Sequence, residues 1–483
     1  MEHFFQHFWP HITTAAVLIV ELLAAGHAVL YKRDTRATIG WVGLILLTPL
    51  LGAVLYWTFG INRIHRRARL RRSGETGAEP AAKEHAAPPE LVEKTLGRKG
   101  EHFERLVELV GNATERPLLV GNKIEPLVGG DEAYPAMLQA IDGAQRSISL
   151  ASYIFDNDRV GKLFSHALSQ AQQRGVEIRV LIDYIGARYT FPTIVHALRE
   201  AKVRTETFMR SLVPGYFAYF NLRSHRKIMV VDGTLGFTGG MNIREGCWLS
   251  EHPKQPTKDL HFRVQGPVVT QLQEVFSEDW VFSTGEVLKG ELWYPPQAAA
   301  GETLARGIAF GPDESKGIIG LTLIGAVGVA QRKVSIVTPY FLPDEAIVSA
   351  LNVAAMRGVE VNIVLPQKGN LITVQWAMQA TLWQVLQHGC KVWLTPPPFD
   401  HTKLMVVDGI WTLLGSSNWD PRSLRLNFEF DVECYDRELA GQIDGLVAKL
   451  MSAARSITLA DVDARKLPAR LRDGIARLAS PYL

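Results

Sequence analysis

Two long apolar runs open the chain, and shorter apolar and amphipathic segments alternate after them. Residues 12–31 and 39–59 are mostly apolar over 20 and 21 positions, about the length that a helix needs to cross a bilayer. The first run also contains Glu21 and His27. Ionisable side chains inside a span are costly and often functional. The alternatives are that they face the partner helix or that the segment lies partly in the membrane interface. The pattern predicts a two-helix membrane anchor over residues 1–65.

Residues 66–115 differ in composition from the anchor. Six arginines lie between residues 63 and 72, and residues 73–90 are rich in Ala, Pro, Gly and Glu, as linkers are. Residues 91–110 carry apolar side chains at the spacing of an amphipathic helix. Basic residues beside a span favour the cytoplasmic side for everything downstream. The arginines also suit contact with anionic lipid head groups, and a solvated basic helix is the alternative.

The remaining residues form an internal repeat with boundaries at 116–295 and 296–483. Each repeat has a strand, a helix and a second strand, at residues 147–155, up to 174 and 175–183 in the first and at residues 334–338, up to 357 and 358–365 in the second. Each repeat ends in a hairpin followed by a helix, and the two helices are predicted at residues 268–282 and 438–454. Alternating strands and helices predict an α/β fold. We expect two pseudo-symmetric halves, each a mixed sheet flanked by helices, behind the anchor.

Composition and charge argue against several kinds of protein. A net charge of +3 over 483 residues and a pI near 8.6 are too mildly basic to indicate nucleic-acid binding. The three cysteines are odd in number and far apart, without the spacing of a disulfide framework or a zinc site. They indicate a reducing compartment, and no metal site is predicted.

One motif occurs twice, with the pattern H-x-K-x4-D-x6-G-[GS]-x-N. Its residues are His225, Lys227, Asp232 and Asn242 in the first copy and, 176 positions later, His401, Lys403, Asp408 and Asn418 in the second. Neutral imidazole is a nucleophile or base, lysine is a positive point charge, and asparagine donates hydrogen bonds, which together suit a phosphate. Two facing copies supply one histidine to attack phosphorus and one to protonate the leaving oxygen. The aspartates lie at a strand end, where bracing of the turn competes with a catalytic role.

The twin motifs resemble those of the phospholipase D superfamily. The anchor, together with residues 152–155, 221–224 and 338–344, resembles the bacterial cardiolipin synthase branch of that superfamily. The resemblance implies a multi-pass phosphatidyltransferase of the bacterial inner membrane, with its catalytic halves facing the cytoplasm. It also implies that two phosphatidylglycerol molecules give cardiolipin and glycerol through a phosphohistidine, without a metal or other cofactor. One phosphatidylglycerol with another phospholipid as donor, which releases that donor's head group, is the alternative.

The resemblance further implies a role for each matching residue at the seam between the halves. His225 is the nucleophile, and His401 is first the acid and then the base. The side chains that hold the phosphate oxygens are Lys227, Lys403, Asn242, Asn418 and, where the first copy has glycine, Ser416. An acidic residue downstream of each motif orients its histidine, Asp259 for His225 and Glu429 for His401.

The sequence leaves two alternative functions to consider. A phospholipase D-type hydrolase that cleaves phospholipid or nucleic acid shares the motif, whereas a non-catalytic membrane scaffold conflicts with two intact copies. The sequence has no interleaved basic and aromatic groove for single strands. The expected partners are therefore phospholipid and membrane, without nucleic acid, and a homo-oligomer is compatible with the sequence. Four aromatic residues within 216–220 are either a lipid-facing lip or part of a core.

Overall fold

The computed structural model describes residues 2–32, 35–60, 85–98, 100–209, 222–312 and 317–480. The described residues divide into two compact units, one within residues 2–60 and the other within residues 85–480. The arginines at 63–72, the linker up to residue 84 and the aromatic residues at 216–220 lie outside the described residues. What the sequence predicts for these segments therefore stays a prediction.

The first unit is built from helices. They span Glu2–Tyr31 (α1), Thr35–Leu47 (α2) and Leu51–Leu55 (α3), and a π-helical turn follows at Tyr56–Gly60. Within α1, Phe8–Tyr31 is long and apolar enough to cross a membrane. The single helix predicted over residues 39–59 is wrong. It breaks between α2 and α3 because Pro49 has no N–H to donate and because Leu50 has a φ of 62°.

Small residues allow the helices of this unit to approach closely. Ala24 and Ala28 are buried where α1 meets the other helices. Glu21 is buried on the same face of α1, since residues three and seven positions apart share a helix face. His27 Nδ1 lies 2.7 Å from the hydroxyl of Tyr56. Both ionisable side chains thus face the packed helices, which was one of the alternatives for them.

A sheet of sixteen strands runs through the described part of the second unit, and two further short strands pair separately. In chain order the strands are Leu119–Val128 (β1), Ser147–Ser152 (β2), Glu177–Asp183 (β3), Thr205–Phe208 (β4), Arg223–Ser224 (β5), Ile228–Val231 (β6), Leu235–Gly239 (β7), Thr257–Lys258 (β8), Leu260–Gln265 (β9), Thr303–Phe310 (β10), Lys333–Val337 (β11), Glu360–Pro366 (β12), Lys391–Thr395 (β13), Phe399–Asp400 (β14), Leu404–Val407 (β15), Trp411–Gly415 (β16), Asn427–Tyr435 (β17) and Arg455–Ile457 (β18).

The order of the strands repeats about the middle of the sheet. From one edge it reads β4-β3-β2-β6-β7-β9-β1, and from the other, after the edge strand β18, it reads β13-β12-β11-β15-β16-β17-β10. Both sets have the same succession of parallel and antiparallel neighbours. They join where β1 pairs with β10. The predicted pair of halves is confirmed, and because the sheet is continuous the halves belong to one compact unit.

Apolar clusters cover both faces of the sheet. In β6, Met229 and Val231 belong to one cluster, while Ile228 and Val230 belong to another. Successive side chains of a strand point to opposite faces, so a short, wholly apolar strand must be buried on both sides. The motif strands are therefore fixed firmly in the core, which positions the residues just before them.

The helices of the second unit agree with those predicted for the repeat, whereas the helix predicted before the repeat is divided in two. In chain order they are Pro89–Leu96 (α4), Glu104–Thr114 (α5), Gly129–Gly143 (α6), Arg159–Gln173 (α7), Ile194–Glu200 (α8), Val268–Thr284 (α9), Ile318–Val329 (α10), Glu345–Met356 (α11), Ile372–Gln379 (α12), Trp383–Leu386 (α13), Pro421–Arg425 (α14), Arg437–Ala453 (α15), Leu459–Asp463 (α16) and Leu467–Leu478 (α17). The helices predicted after the motif hairpins are confirmed as α9 and α15. The single helix predicted over residues 91–110 is wrong, because α4 ends at Gly97, whose φ of 58° is left-handed.

Candidate active site

The two motif histidines face each other across the seam between the halves. His225 and His401 each precede the first strand of a hairpin, β6 with β7 and β15 with β16. Both imidazoles are buried, and their ring centroids lie 6.4 Å apart with an angle of 82° between the ring planes. This short distance between the rings allows one phosphate group to contact both imidazoles.

Two short strand pairs bring residues of each half to the histidine of the other half. β17 begins in parallel pairing with β5, and the backbone N–H of His225 donates to the carbonyl of Phe428 over 2.8 Å. β8 pairs in the same way with β14, and the backbone N–H of His401 donates to the carbonyl of Lys258 over 2.8 Å. The residue after each of these carbonyls is acidic, and the pairing carries it to the opposite histidine.

The acidic residues orient the histidines in exchanged pairs. His225 Nδ1 donates to Glu429 Oε2 over 2.9 Å, and His401 Nδ1 donates to Asp259 Oδ2 over 2.8 Å. The predicted pairs, Asp259 with His225 and Glu429 with His401, are wrong. Spacing along the chain associates a carboxylate with the motif before it, whereas the crossing strands carry it to the other half. Because an ionised carboxylate only accepts, each Nδ1 bears the hydrogen and each Nε2 keeps its lone pair.

Several donors surround the carboxylate of Glu429. Besides His225, the hydroxyls of Ser416 and Ser423 and the side-chain amide of Asn427 donate to it. Burial works to raise the pKa of Glu429, but the electrostatic interaction and hydrogen bond with His225, the charge of Lys227 and the hydrogen bond from Ser416 outweigh burial and lower the pKa. The phosphate contact predicted for Ser416 is corrected accordingly, because its hydroxyl holds the carboxylate.

The carboxylate of Asp259 has fewer donors. It accepts from the backbone N–H of Leu260 over 2.8 Å in addition to His401. Burial raises the pKa of Asp259 to about 6. Of the two histidines, His225 therefore has the partner that is more firmly ionised.

The motif lysines are buried beside the histidines. Lys227 Nζ donates to the carbonyl of His225 over 2.7 Å, and Lys403 Nζ donates to the carbonyl of His401. Burial lowers the pKa of Lys227 to about 7 and that of Lys403 to about 8. An entering phosphate raises both values again, because an opposite charge favours the ammonium form. The described ranges contain no group of three or more His, Cys, Asp or Glu placed to hold a metal ion.

The motif asparagines follow the returning strands β7 and β16. Asn242 Oδ1 accepts the backbone N–H of Ile154 over 3.0 Å, which leaves its amide hydrogens to donate elsewhere. Asn418 is buried at the equivalent position, and within the described residues its Oδ1 accepts no hydrogen bond. The two halves thus hold their asparagines differently, and a phosphate contact for either residue stays a prediction.

The motif aspartates brace the turns at the far ends of the hairpins. The carboxylate of Asp232 accepts the N–H groups of residues 145–147, and that of Asp408 accepts the N–H groups of residues 331–333. Each aspartate lies seven residues from its histidine, about 20 Å along an extended chain. The catalytic role that the motif gave to Asp232 and Asp408 is corrected to a structural one, the alternative that their position favoured.

Asp232→Ala is expected to destabilise the protein while the folded fraction keeps its turnover. Three N–H groups lose their acceptor, and alanine is disfavoured at the φ of 51° that residue 232 adopts. A loss of about 1–3 kcal/mol is expected, measured by thermal unfolding of the full chain in detergent. Asp232→Asn keeps an acceptor oxygen and tolerates this φ, so it serves as the milder control. Lost turnover at an unchanged unfolding temperature contradicts the structural role.

Aromatic rings that sequence reasoning left unassigned surround the histidine pair. The ring of Tyr153 lies 5.1 Å from that of His225, and the rings of Tyr340 and Phe399 lie 6.3 and 5.8 Å from that of His401. The two tyrosines follow β2 and β11, the equivalent strands of the repeat. A tyrosine just after the same strand of both halves is the signal that identifies them from sequence.

Known proteins resemble this chain over its whole length. A family model described as the cardiolipin synthase, phospholipase D-like domain matches residues 137–280 and 323–451, and a phospholipase D-nuclease N-terminal model matches residues 18–60. Cardiolipin synthase A of Pseudomonas aeruginosa is 32% identical over 469 residues, which are 97% of this chain and 95% of that protein. Cardiolipin synthase A of Pseudomonas putida is 30% identical over 486 residues, which are 100% of both chains.

A solved structure shows the same fold at low sequence identity. The phosphatidylserine synthase of Haemophilus influenzae superposes with a TM-score of 0.61 at 14% identity, covering 78% of this chain and 100% of that one. The resemblance carried by the twin motifs is thereby confirmed in sequence and in fold. This chain belongs to the cardiolipin synthase family, a family of membrane-associated enzymes with phospholipase D-like domains.

Proposed function

We propose that this enzyme transfers the phosphatidyl group of one phosphatidylglycerol to a second, giving cardiolipin and free glycerol. The observation that carries the proposal is the pair of buried histidines, 6.4 Å apart and each held by a carboxylate of the other half. The similarity of the whole chain to cardiolipin synthases supports the choice of lipid. One histidine serves as nucleophile and the other carries the proton.

In the first step, His225 Nε2 attacks the phosphorus of the donor lipid. The bond from phosphorus to the oxygen of the head-group glycerol breaks, and protonated His401 gives its proton to that oxygen. Positive charge grows on the ring of His225, and the ionised Glu429 at Nδ1 stabilises it. The buried ammonium groups of Lys227 and Lys403 stabilise the charge on the nonbridging oxygens.

In the second step, a hydroxyl of the acceptor phosphatidylglycerol attacks the phosphohistidine. His401, now neutral, takes the hydroxyl proton, and the bond between phosphorus and His225 breaks. Cardiolipin leaves, His225 is again neutral, and His401 is again protonated, as at the start of the first step. The same group acts as acid and then as base, as microscopic reversibility requires.

Proton supply to His401 depends on the entering phosphate. Burial holds the pKa of His401 well below its usual range, and the charges of Lys403 and Lys227 lower it further. Burial lowers the pKa of His225 as well, so both rings are neutral before substrate binds. A phosphodiester pairs with the lysines and adds negative charge beside His401, which favours its imidazolium form. His401 therefore takes up its proton as the donor lipid binds.

We also propose a bacterial inner-membrane location with the catalytic halves on the cytoplasmic side. The apolar length of Phe8–Tyr31 supports a span, and the second apolar segment, broken at Pro49, enters the membrane with it. The six arginines between residues 63 and 72 support the orientation, because basic residues beside a span stay on the cytoplasmic side.

The purified full chain in phosphatidylglycerol vesicles is expected to form cardiolipin and glycerol in equal amounts. Phosphatidylglycerol labelled separately in its acyl chains and its free glycerol allows lipid mass analysis to follow both products. The buried site favours transfer, because exclusion of water protects the phosphohistidine from hydrolysis. Phosphatidic acid as the sole lipid product contradicts the proposal and supports a hydrolase of the phospholipase D type.

A further inference from the structure

Two loops at equivalent places in the halves expose large apolar side chains. β3 and β12 are equivalent, since each pairs in parallel with β2 or β11. The loop after β3 carries Tyr189 and Phe191, which are 57% and 78% exposed, and the chain after β12 carries Leu371 and Ile372, which are 51% and 60% exposed. Residues 188–191 are called the first tip and residues 368–372 the second tip. Exposed apolar groups that cluster in this way mark binding surfaces.

In each half, a single tyrosine side chain lies between the tip and the motif histidine. The ring of Tyr189 lies 6.5 Å from that of Tyr153, whose ring is 5.1 Å from the imidazole of the first motif. In the second half, the hydroxyl of Tyr340 donates to Asn370 Oδ1 over 2.6 Å, and its ring is 6.3 Å from the imidazole of the second motif. The two tips therefore flank the histidine pair, one in each half.

Hydrogen bonds anchor the backbone of both loops. The side-chain amide of Asn157 donates to the carbonyl of Pro192 over 2.9 Å, just after the first tip. The side-chain amide of Gln375 donates to the carbonyl of Gln367 over 2.6 Å, and its Oε1 accepts the backbone N–H of Gly369. Because these bonds fix the loops, the apolar side chains are held toward the solvent instead of folding onto the sheet.

Each tip also has an exposed basic side chain. Arg188 lies in the first tip and Lys368 in the second, and neither tip contains an acidic residue. Apolar side chains beside cations are typical of segments at the surface of an anionic membrane, where apolar atoms enter the acyl boundary and cations meet lipid phosphates. The charge and the apolar character of both tips thus complement an anionic lipid surface.

We propose that the two tips insert into the surface of an anionic phospholipid bilayer and hold the histidine pair against it. The head group of a lipid then reaches the buried histidines while its acyl chains stay in the bilayer. The inference deepens the proposed function and rests on it to the extent that the substrate is a bilayer phospholipid. It assigns the membrane contact of the second unit to its own loops, in addition to the helices of the anchor.

A thiol-directed spin label at the tips tests the insertion without turnover. The native cysteines Cys247, Cys390 and Cys434 are buried, so a label attaches to Phe191→Cys or Ile372→Cys in the full chain. In vesicles of phosphatidylglycerol and phosphatidylcholine with a water-soluble relaxation agent on both sides, the tip labels are expected to be shielded from that agent and accessible to oxygen. Met356→Cys is the matched control, being apolar, 64% exposed and at the opposite end of β12. Tip labels as accessible to water as the control overturn the proposal.

The double variant Phe191→Asp with Ile372→Asp tests what insertion does for turnover. Its rate on phosphatidylglycerol vesicles is expected to fall about tenfold or more, because two charged side chains replace the apolar side chains that enter the bilayer. Its rate on monomeric short-chain phosphatidylglycerol is expected to be unchanged, and Met356→Asp should match the unaltered enzyme on both substrates. Equal losses on vesicles and monomers overturn the proposal. Shielded tip labels in a protein that makes no cardiolipin contradict the proposed function alone.

Discussion

His225→Ala is expected to abolish both the covalent phosphatidyl-enzyme and cardiolipin formation. His225 has the more firmly ionised partner in Glu429, which suits the ring that must carry positive charge after attack. Loss of a catalytic nucleophile costs about 10⁶-fold in turnover. Acid-quenched enzyme, digested and mass-analysed after exposure to phosphatidylglycerol, is expected to carry the adduct at residue 225, and the variant is expected to carry none.

His401→Ala is the matched comparison, since it removes the facing imidazole and leaves the nucleophile in place. A general acid or base contributes about 10²–10⁴-fold, so turnover is expected to fall by this range. Adduct is expected to accumulate slowly, because water can protonate the leaving glycerol but the second step has lost its base. An adduct at His401 in the unaltered enzyme reverses the assignment of the two roles and leaves the two-histidine mechanism intact.

Most of the fold could be predicted from the internal repeat in the sequence. Two motif copies with one spacing, each after a strand, a helix and a strand, predicted halves of one topology, and both halves show the same order of seven strands. Breaks inside elements were harder to predict, although the signals were present. Pro49 divides the second apolar run, and Gly97 ends the helix that begins at Pro89. Apolar periodicity outweighed these two residues because it extends over whole segments.

The carboxylate that pairs with each motif histidine could not be predicted from spacing along the chain. Glu429 lies 28 residues after His401 but 204 residues after His225, so nearness in sequence favours the wrong pair. What decides the pairing is the parallel contact of β17 with β5 and of β8 with β14. These are two-residue ladders across the seam, and no local sequence pattern predicts them. The contact of Ser416 with Glu429 depends on the same geometry and was missed for the same reason.

The exchanged pairs predict opposite defects for Glu429→Gln and Asp259→Asn. A donor with p-nitrophenol as its head group separates the steps, because this leaving group needs no proton. Its rapid release then reports attack by His225 alone, and the later steady rate reports the step in which His401 is the base.

Glu429→Gln is expected to lose the rapid release by about 10²–10⁴-fold, because the charge that develops on His225 no longer faces a carboxylate. Asp259→Asn is expected to keep the rapid release and to lose the steady rate, because it affects only the orientation of His401. Pairs within each motif predict the reverse pattern. If Asp259→Asn removes the rapid release while Glu429→Gln preserves it, the crossing of the carboxylates does not govern catalysis.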